Sequence, residues 1–261
     1  MSVSNQLSSV VAIALSPGRD WFVRLAGSPA APFRIICFPS AGGSATAFRH
    51  WSAQIPPAVE LLAVQFPGRQ KRIKEPPLRD LREAVRELLP AIMSLAESPS
   101  VFFGDCTGSL VAYELIQALA ARGTDPPRRL IVSCCRAPNL PPTHAPLFLL
   151  DDVALTDKIR ALGFAPDWLL NDEPTLKAFL PLLRCDFEMA ETYVHRVGNP
   201  LAVPITAIAG TRDRITPESD VAAWRTHTTQ AFDLVPMEGG HDLAQTRAQE
   251  LIALVTDAMG I

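Results

Sequence analysis

Val101-Phe102-Phe103-Gly104-Asp105-Cys106-Thr107-Gly108-Ser109 carries an apolar strand into G-x-C-x-G and on into the helical pattern Leu110, Val111, Tyr113, Glu114, Leu115. Glycines two before and two after a nucleophile let a strand turn abruptly into a helix, leaving the side chain between them exposed above a sheet at a helix N-terminus. Serine is the usual occupant of that position; here it is Cys106. The helix end favours negative charge on the thiol, and the backbone N–H of Thr107 can donate to a developing oxyanion. Cys37, Cys134, Cys135 and Cys185 have no such setting and read as small buried hydrophobes. Five cysteines without a repeating spacing argue against a disulfide framework or a zinc site.

A thiol nucleophile needs a base, and the base needs an acid to orient it. Late in the chain, the strand Ile205–Ala209 leads into Gly210-Thr211-Arg212-Asp213-Arg214, and the strand Phe232–Val235 leads into Pro236-Met237-Glu238-Gly239-Gly240-His241-Asp242. The order Cys106, Asp213, His241 is the nucleophile, acid, base order of an α/β-hydrolase. His50, His144, His195 and His227 have no comparable placement. Asp213 has rivals in Asp242, Asp186 and Asp105; Asp242 adjoins the base but begins a helix, where an acid serves as a cap. A second small-residue segment, Phe38-Pro39-Ser40-Ala41-Gly42-Gly43-Ser44, follows the strand Arg34–Phe38. Its backbone can approach a reacting carbonyl, with Ala41 N–H as the second oxyanion donor; a phosphate loop would need a lysine and longer spacing.

Around these loops the chain alternates short runs rich in Ile, Val and Phe with longer amphipathic stretches, the pattern of a mostly parallel sheet flanked by helices. The expected strands are Trp21–Leu25, Arg34–Phe38, Glu60–Val64, Val101–Phe103, Leu130–Ser133, Ile205–Ala209 and Phe232–Val235. The expected helices are Thr46–Gln54, Leu78–Leu95 capped by Asp80, Leu110–Ala121, Glu218–Thr226 opened by Thr216-Pro217, and Ala244–Met259. Between 138 and 203 the alternation lapses into helical candidates near Asp151–Leu162, Asp172–Leu183 and Asp186–Val194. This segment reads as an inserted helical cap on one α/β core formed by residues 1–137 and 204–261. Phe148, Leu149, Phe164, Trp168, Leu169 and Phe179 are its candidates for lining a pocket, though packing the cap demands the same residue types.

Of the 261 residues 48% are hydrophobic and 20% charged, enough to bury a sizeable core. Twenty-four basic against twenty-seven acidic residues, with both signs scattered, give no electrostatic support to nucleic-acid binding. The one dense basic run, Phe66-Pro67-Gly68-Arg69-Gln70-Lys71-Arg72-Ile73-Lys74, suits either an acidic or phosphate-bearing partner or a solvated loop. The apolar run Val10–Leu15 is too short for a bilayer span and lacks a basic start, so the expectation is a soluble cytoplasmic protein with no membrane association.

On CFPSAGGS, VQFPGR, FFGDCTGSLVAYEL, LLRCDFEMAETY, GTRD and EGGH, the chain resembles the stand-alone type II thioesterases of polyketide and nonribosomal peptide assembly lines, within the α/β-hydrolase superfamily. The resemblance covers most of the chain. It implies cleavage of an acyl group held as a thioester on the phosphopantetheine arm of a carrier protein or thiolation domain, with no bound cofactor and no metal. The family nucleophile falls on Cys106, its acid on Asp213, its base on His241, and its oxyanion donors on the backbones of Ala41 and Thr107. Leu182, Arg184, Asp186 and Tyr193 match a recurrent architectural stretch of the cap.

Two departures touch the reacting centre. The family usually reads GHSMG where this chain reads GDCTG, and usually has His where this chain has Ser40. Asp105 therefore puts an anion where a cation would be available; Ser40 and Asp105 become candidates for contacting substrate, Asp105 for an ammonium group. A cysteine nucleophile points to an acyl or aminoacyl transferase between carriers, because enzyme and carrier thioesters are close in energy. Hydrolysis is the alternative, and a non-catalytic carrier-binding scaffold is a third reading.

Overall fold

The computed structural model describes residues 21–142, 144–163, 165 and 167–260, with backbone only at 167 and 168. The Val10–Leu15 run and Phe164 lie outside the described residues, as does the Trp168 side chain. Seven runs rich in branched and aromatic residues form one sheet: β1 Phe22–Ala26, β2 Phe33–Phe38, β3 Val59–Val64, β4 Ser100–Asp105, β5 Arg129–Ser133, β6 Ile205–Gly210 and β7 Phe232–Met237, in the order β1-β3-β2-β4-β5-β6-β7. β1 is antiparallel to β3; all other pairs are parallel. The chain leaves β2 for β3 on one side and returns to β4 on the other, so the strand order switches direction between β2 and β4. Loops leaving the carboxyl ends of those two strands therefore border one crevice, the usual ligand site of an open parallel sheet. They are the Ser40-Ala41-Gly42-Gly43 turn and the Cys106 turn.

Side chains alternate across the strands, so neighbouring residues feed opposite layers. Ile36, Phe38 and Phe102 pack beneath α1 (Leu81–Met93) and α2 (Thr107–Ala120). Ile35, Cys37 and Phe103 pack on the other face with Phe48, Trp51 and the helix pair α7 (Leu243–Thr246) and α8 (Ala248–Asp257). α1 begins at Leu81, where Asp80 accepts the Glu83 N–H at 2.7 Å, three residues later than its apolar pattern begins. The Thr46–Gln54 stretch forms a 3₁₀ helix over Ala45–Gln54 instead of an α-helix. Its buried residues Ala45, Phe48 and Trp51 recur every third position, the spacing that aligns in 3₁₀ geometry. Glu218–Thr226 divides into α6 (Glu218–Ala222) and a 3₁₀ turn, and the Thr216 hydroxyl donates to the Cys134 carbonyl instead of capping it.

The segment from 138 to 203 holds α3 (Asp152–Leu162), α4 (Asp167–Leu170) and α5 (Glu173–Glu191). α5 merges the two separately expected helices because Leu176, Leu180, Leu183 and Phe187 form one unbroken buried stripe through Arg184 and Cys185. With Leu155, Ile159, Leu169 and Leu170 that stripe forms a third hydrophobic cluster, apart from the two sheet layers, with Phe148 and Phe179 against it. Three of the expected pocket residues, Phe148, Leu169 and Phe179, thus serve the packing of these helices, while Leu149 is 70% exposed. Phe179 and Leu183 reach down onto Gly42, placing α5 over the turn after β2.

Candidate active site

Cys106 follows β4 directly and precedes the first turn of α2, with φ 47° and ψ −117°. A non-glycine residue in this region is strained, as a nucleophile at a strand-to-helix elbow is. The flanking glycines are required by close approach: a Cβ on Gly104 would collide with the Ser109 Cα, and one on Gly108 with the Phe38 carbonyl. Gly108→Ala is therefore expected to lower stability by about 3 kcal/mol or to prevent folding, read as a loss in denaturant midpoint. Ser109 reinforces the elbow, its hydroxyl donating to the Gly104 carbonyl at 2.8 Å.

The two late loops converge on the same point. The His241 Nδ1–H donates to Asp213 Oδ2 at 2.9 Å, and Asp213 Oδ1 accepts the backbone N–H groups of Ile215 and Thr216 at 2.8 and 3.1 Å. Of the four acids considered from sequence, Asp213 holds this position; Asp186 is engaged with Arg69. Gly210 permits the convergence, since a Cβ there would strike the Gly240 carbonyl. Burial opposes a charge on His241, but the negative charge of Cys106 and hydrogen bonds with Asp213 and Cys106 raise it well above its ordinary value. Burial likewise pushes Asp213 upward, and the His241 hydrogen bond and charge outweigh it, leaving the carboxyl below the usual range. The pair is thus arranged to favour a protonated His241.

The turn carrying Ala41 is pinned from α5. Asp186, 3% exposed on that helix, accepts the Gly42 N–H at 2.6 Å and meets Arg69 through two contacts of 2.8 and 2.7 Å. Arg69 in turn donates to the Gly43 carbonyl at 2.7 Å. The basic run is accordingly no open cationic patch: Arg69 is buried on Asp186, and Arg72 is buried against Glu75 and the Trp21 ring. Ala41 itself, partly buried, packs against the hydrophobic cluster of α5. Removing one partner of a buried pair strands the other. Asp186→Ala should lower unfolding free energy by about 3–5 kcal/mol, checked by urea unfolding.

A cavity of about 150 Å³ opens beside Cys106 and Thr107. Leu110, Ala137, Leu140, Leu147 and Phe187 supply apolar walls; Arg136, His144, Glu191 and Tyr193 supply polar ones. Cys134 and Cys135 also line it, and the Cys134 sulfur, an Asp213 oxygen and a His241 nitrogen lie within 4.8 Å of one another. Sequence reading gave these two cysteines no part in the site; the register of β4 on β5, which sets Asp105 opposite Ser133, brings them there. Ser40 and Asp105, expected to meet substrate, are not among the described residues lining the cavity.

A family model for the thioesterase domain matches residues 33–258. The chain belongs to the thioesterase family. It is 38% identical over 238 residues to Thioesterase PikA5 of Streptomyces venezuelae, covering 91% of this chain and 84% of that one. It is 32% identical to the gramicidin S biosynthesis protein GrsT of Aneurinibacillus migulanus, covering 91% and 93%. Among solved structures, the RedJ thioesterase of the prodiginine biosynthetic pathway in Streptomyces coelicolor superposes with a TM-score of 0.84 at 34% identity, over 89% of this chain and 88% of that one. The fold of this thioesterase is that of an α/β-hydrolase, a mostly parallel seven-stranded sheet flanked by helices. No helix among its described residues is long and apolar enough to cross a membrane.

Proposed function

We propose that this thioesterase-family protein acts in polyketide or nonribosomal peptide biosynthesis as a carrier-to-carrier acyl or aminoacyl transferase, working through a Cys106 acyl-enzyme. The observation that carries the reading is a cysteine at the elbow beside the His241–Asp213 pair. Cys106 Sγ attacks the carbonyl carbon of a phosphopantetheine thioester on a carrier protein or thiolation domain. The resulting oxyanion is held by the backbone N–H groups of Ala41 and Thr107. Its collapse breaks the carbonyl–pantetheine sulfur bond, and the departing sulfur takes the proton from His241. An acceptor pantetheine thiol then returns a proton to His241 as its sulfur attacks the Cys106 thioester, and Cys106 leaves as thiolate. One thioester is exchanged for another at each step, so the chemistry is nearly balanced and needs no metal or bound cofactor of the enzyme's own. Glu191 gives the cavity a carboxylate for the amino group of an aminoacyl substrate. The site of action is the cytoplasm, where carrier proteins are loaded.

Hydrolysis is the second reading, favoured by the family and by relatives named as thioesterases. A two-carrier assay separates them. With one acyl-loaded carrier and one unloaded carrier of different mass, the acyl group should appear on the second carrier faster than free acid accumulates. Free acid as the dominant product, unaffected by the second carrier, would establish the hydrolase instead.

A further inference from the structure

The cavity beside Cys106 has two opposite charges on its walls, Arg136 from the loop after β5 and Glu191 at the last residue of α5. The Glu191 carboxylate accepts the Phe148 N–H at 3.2 Å and lies 3.8 Å from His144 Nδ1; among the described residues no ion pair joins it to Arg136. Arg136 donates from one Nη to the Pro141 carbonyl, which anchors the guanidinium in its own loop. Its Nε is shielded from solvent and has no hydrogen-bond partner among the described residues. An unmet buried donor is costly, and native structures rarely keep one without a use. Two hydroxyls of the same wall are already donating, Tyr193 to Glu114 at 2.6 Å and Thr216 to the Cys134 carbonyl at 3.2 Å. At about 150 Å³ the cavity falls below the roughly 300–1,000 Å³ of sites for drug-sized ligands, so the group it takes is small.

We infer that Arg136 is a specificity-determining residue, and that the group carried on Cys106 is a small aminoacyl group whose side chain ends in an oxygen acceptor, a carboxylate or a carboxamide. The inference rests on the Cys106 acyl-enzyme reading and names its substrate class; it holds whether the group leaves to a thiol or to water. The side-chain oxygen accepts the Nε–H of Arg136, and the α-ammonium meets the Glu191 carboxylate. Opposite charges left unpaired with each other on one small cavity are the complement of a ligand that bears both signs. Leu110, Ala137, Leu140 and Leu147 enclose the carbon atoms between them. A leucyl group has nearly the shape of an aspartyl or asparaginyl group but no acceptor, and in this cavity it would seal the Arg136 donor away from any partner. A site built around a hydrogen bond rejects the isostere that lacks it for this reason.

The test charges Cys106 from the N-acetylcysteamine thioesters of aspartate, asparagine and leucine, each linked through its α-carboxyl, and follows the acyl-Cys106 mass with time. Aspartyl or asparaginyl should charge wild-type protein about tenfold faster than leucyl. Arg136→Leu should bring the rates to parity. Arg136→Lys, which keeps the charge without the Nε–H, should lower the ratio of aspartyl to leucyl charging by less; it serves as the test if the leucine variant does not fold. Neither preference in wild type, or a preference unchanged in the variant, overturns the inference. Charging by none of the three overturns the acyl-enzyme reading instead, and alkylation then decides the role of Arg136. Wild-type Cys106 should react with iodoacetate, relative to neutral iodoacetamide, about tenfold more readily than Cys106 of Arg136→Leu, or of Arg136→Lys by a smaller margin. An unchanged ratio of the two alkylation rates overturns the inference on that arm.

Discussion

Cys106→Ala should form no acyl-enzyme detectable by intact mass and should lose thioester turnover by about 10⁴-fold or more. The elbow has no room for a substitute nucleophile: Cys134 and Cys135 line the same cavity, but burial pushes both thiols well above their ordinary values and leaves them protonated. The alanine variant should still fold, because the change removes one atom from a partly exposed position. Cys106→Ser is the informative companion. Serine should accept the acyl group but hold it as an oxygen ester, a deeper resting state from which an acceptor thiol retrieves it slowly. If Cys106→Ala leaves acyl processing unchanged, the protein is a carrier-binding scaffold and its triad is idle.

Asp213→Asn carries the second large effect, about 10³–10⁴-fold on acyl-enzyme formation. The amide keeps the shape of the carboxyl but not its charge, and it can present an N–H to Nδ1 and so favour the wrong tautomer of His241. The linked pH effects have definite signs. Asp213 is held below its usual range, so its contribution to stability is present above about pH 4 and is lost as pH falls through the folded value. His241 is held above its usual value, so its contribution is present below about pH 6.5 and is lost as pH rises through the raised value. The variant should lose the first dependence and weaken the second, since Cys106 as well as Asp213 raises His241. Thermal unfolding across pH, compared between wild type and Asp213→Asn, checks this alongside the kinetics.

The sheet is legible in the sequence because each strand is a short apolar run ended by a turn-forming residue, and the glycine spacing of G-x-C-x-G between an apolar strand and a helical pattern specifies the sharp elbow at one of those turns. Asp213 and His241 are legible for a related reason: each sits a few residues past the end of a strand, and parallel strands deliver such positions to one edge. What local pattern does not reveal is long-range pairing. Arg69 reads as one cation in a surface run until α5 lays Asp186 against it. The helix boundary expected near Arg184 vanishes because the buried stripe of α5 continues through it, with Pro181 tolerated inside the helix. Cys134 and Cys135 enter the cavity only through the pairing of β5 with β4, and nothing in their own neighbourhood distinguishes them from Cys37. Asp105 is conspicuous in sequence, but its burial at the end of β4 is not.

The acyl group's fate on Cys106 carries the central claim, and one pulse-chase reads it. Wild-type protein is charged with a single acyl or aminoacyl group from a loaded carrier, freed of donor, and divided between buffer and an excess of unloaded carrier, with the acyl-Cys106 mass followed in both. Rapid loss only with the unloaded carrier, matched by appearance of the acylated carrier, is the result expected of a transferase. Equal loss in buffer alone, with free acid as the product, would contradict it.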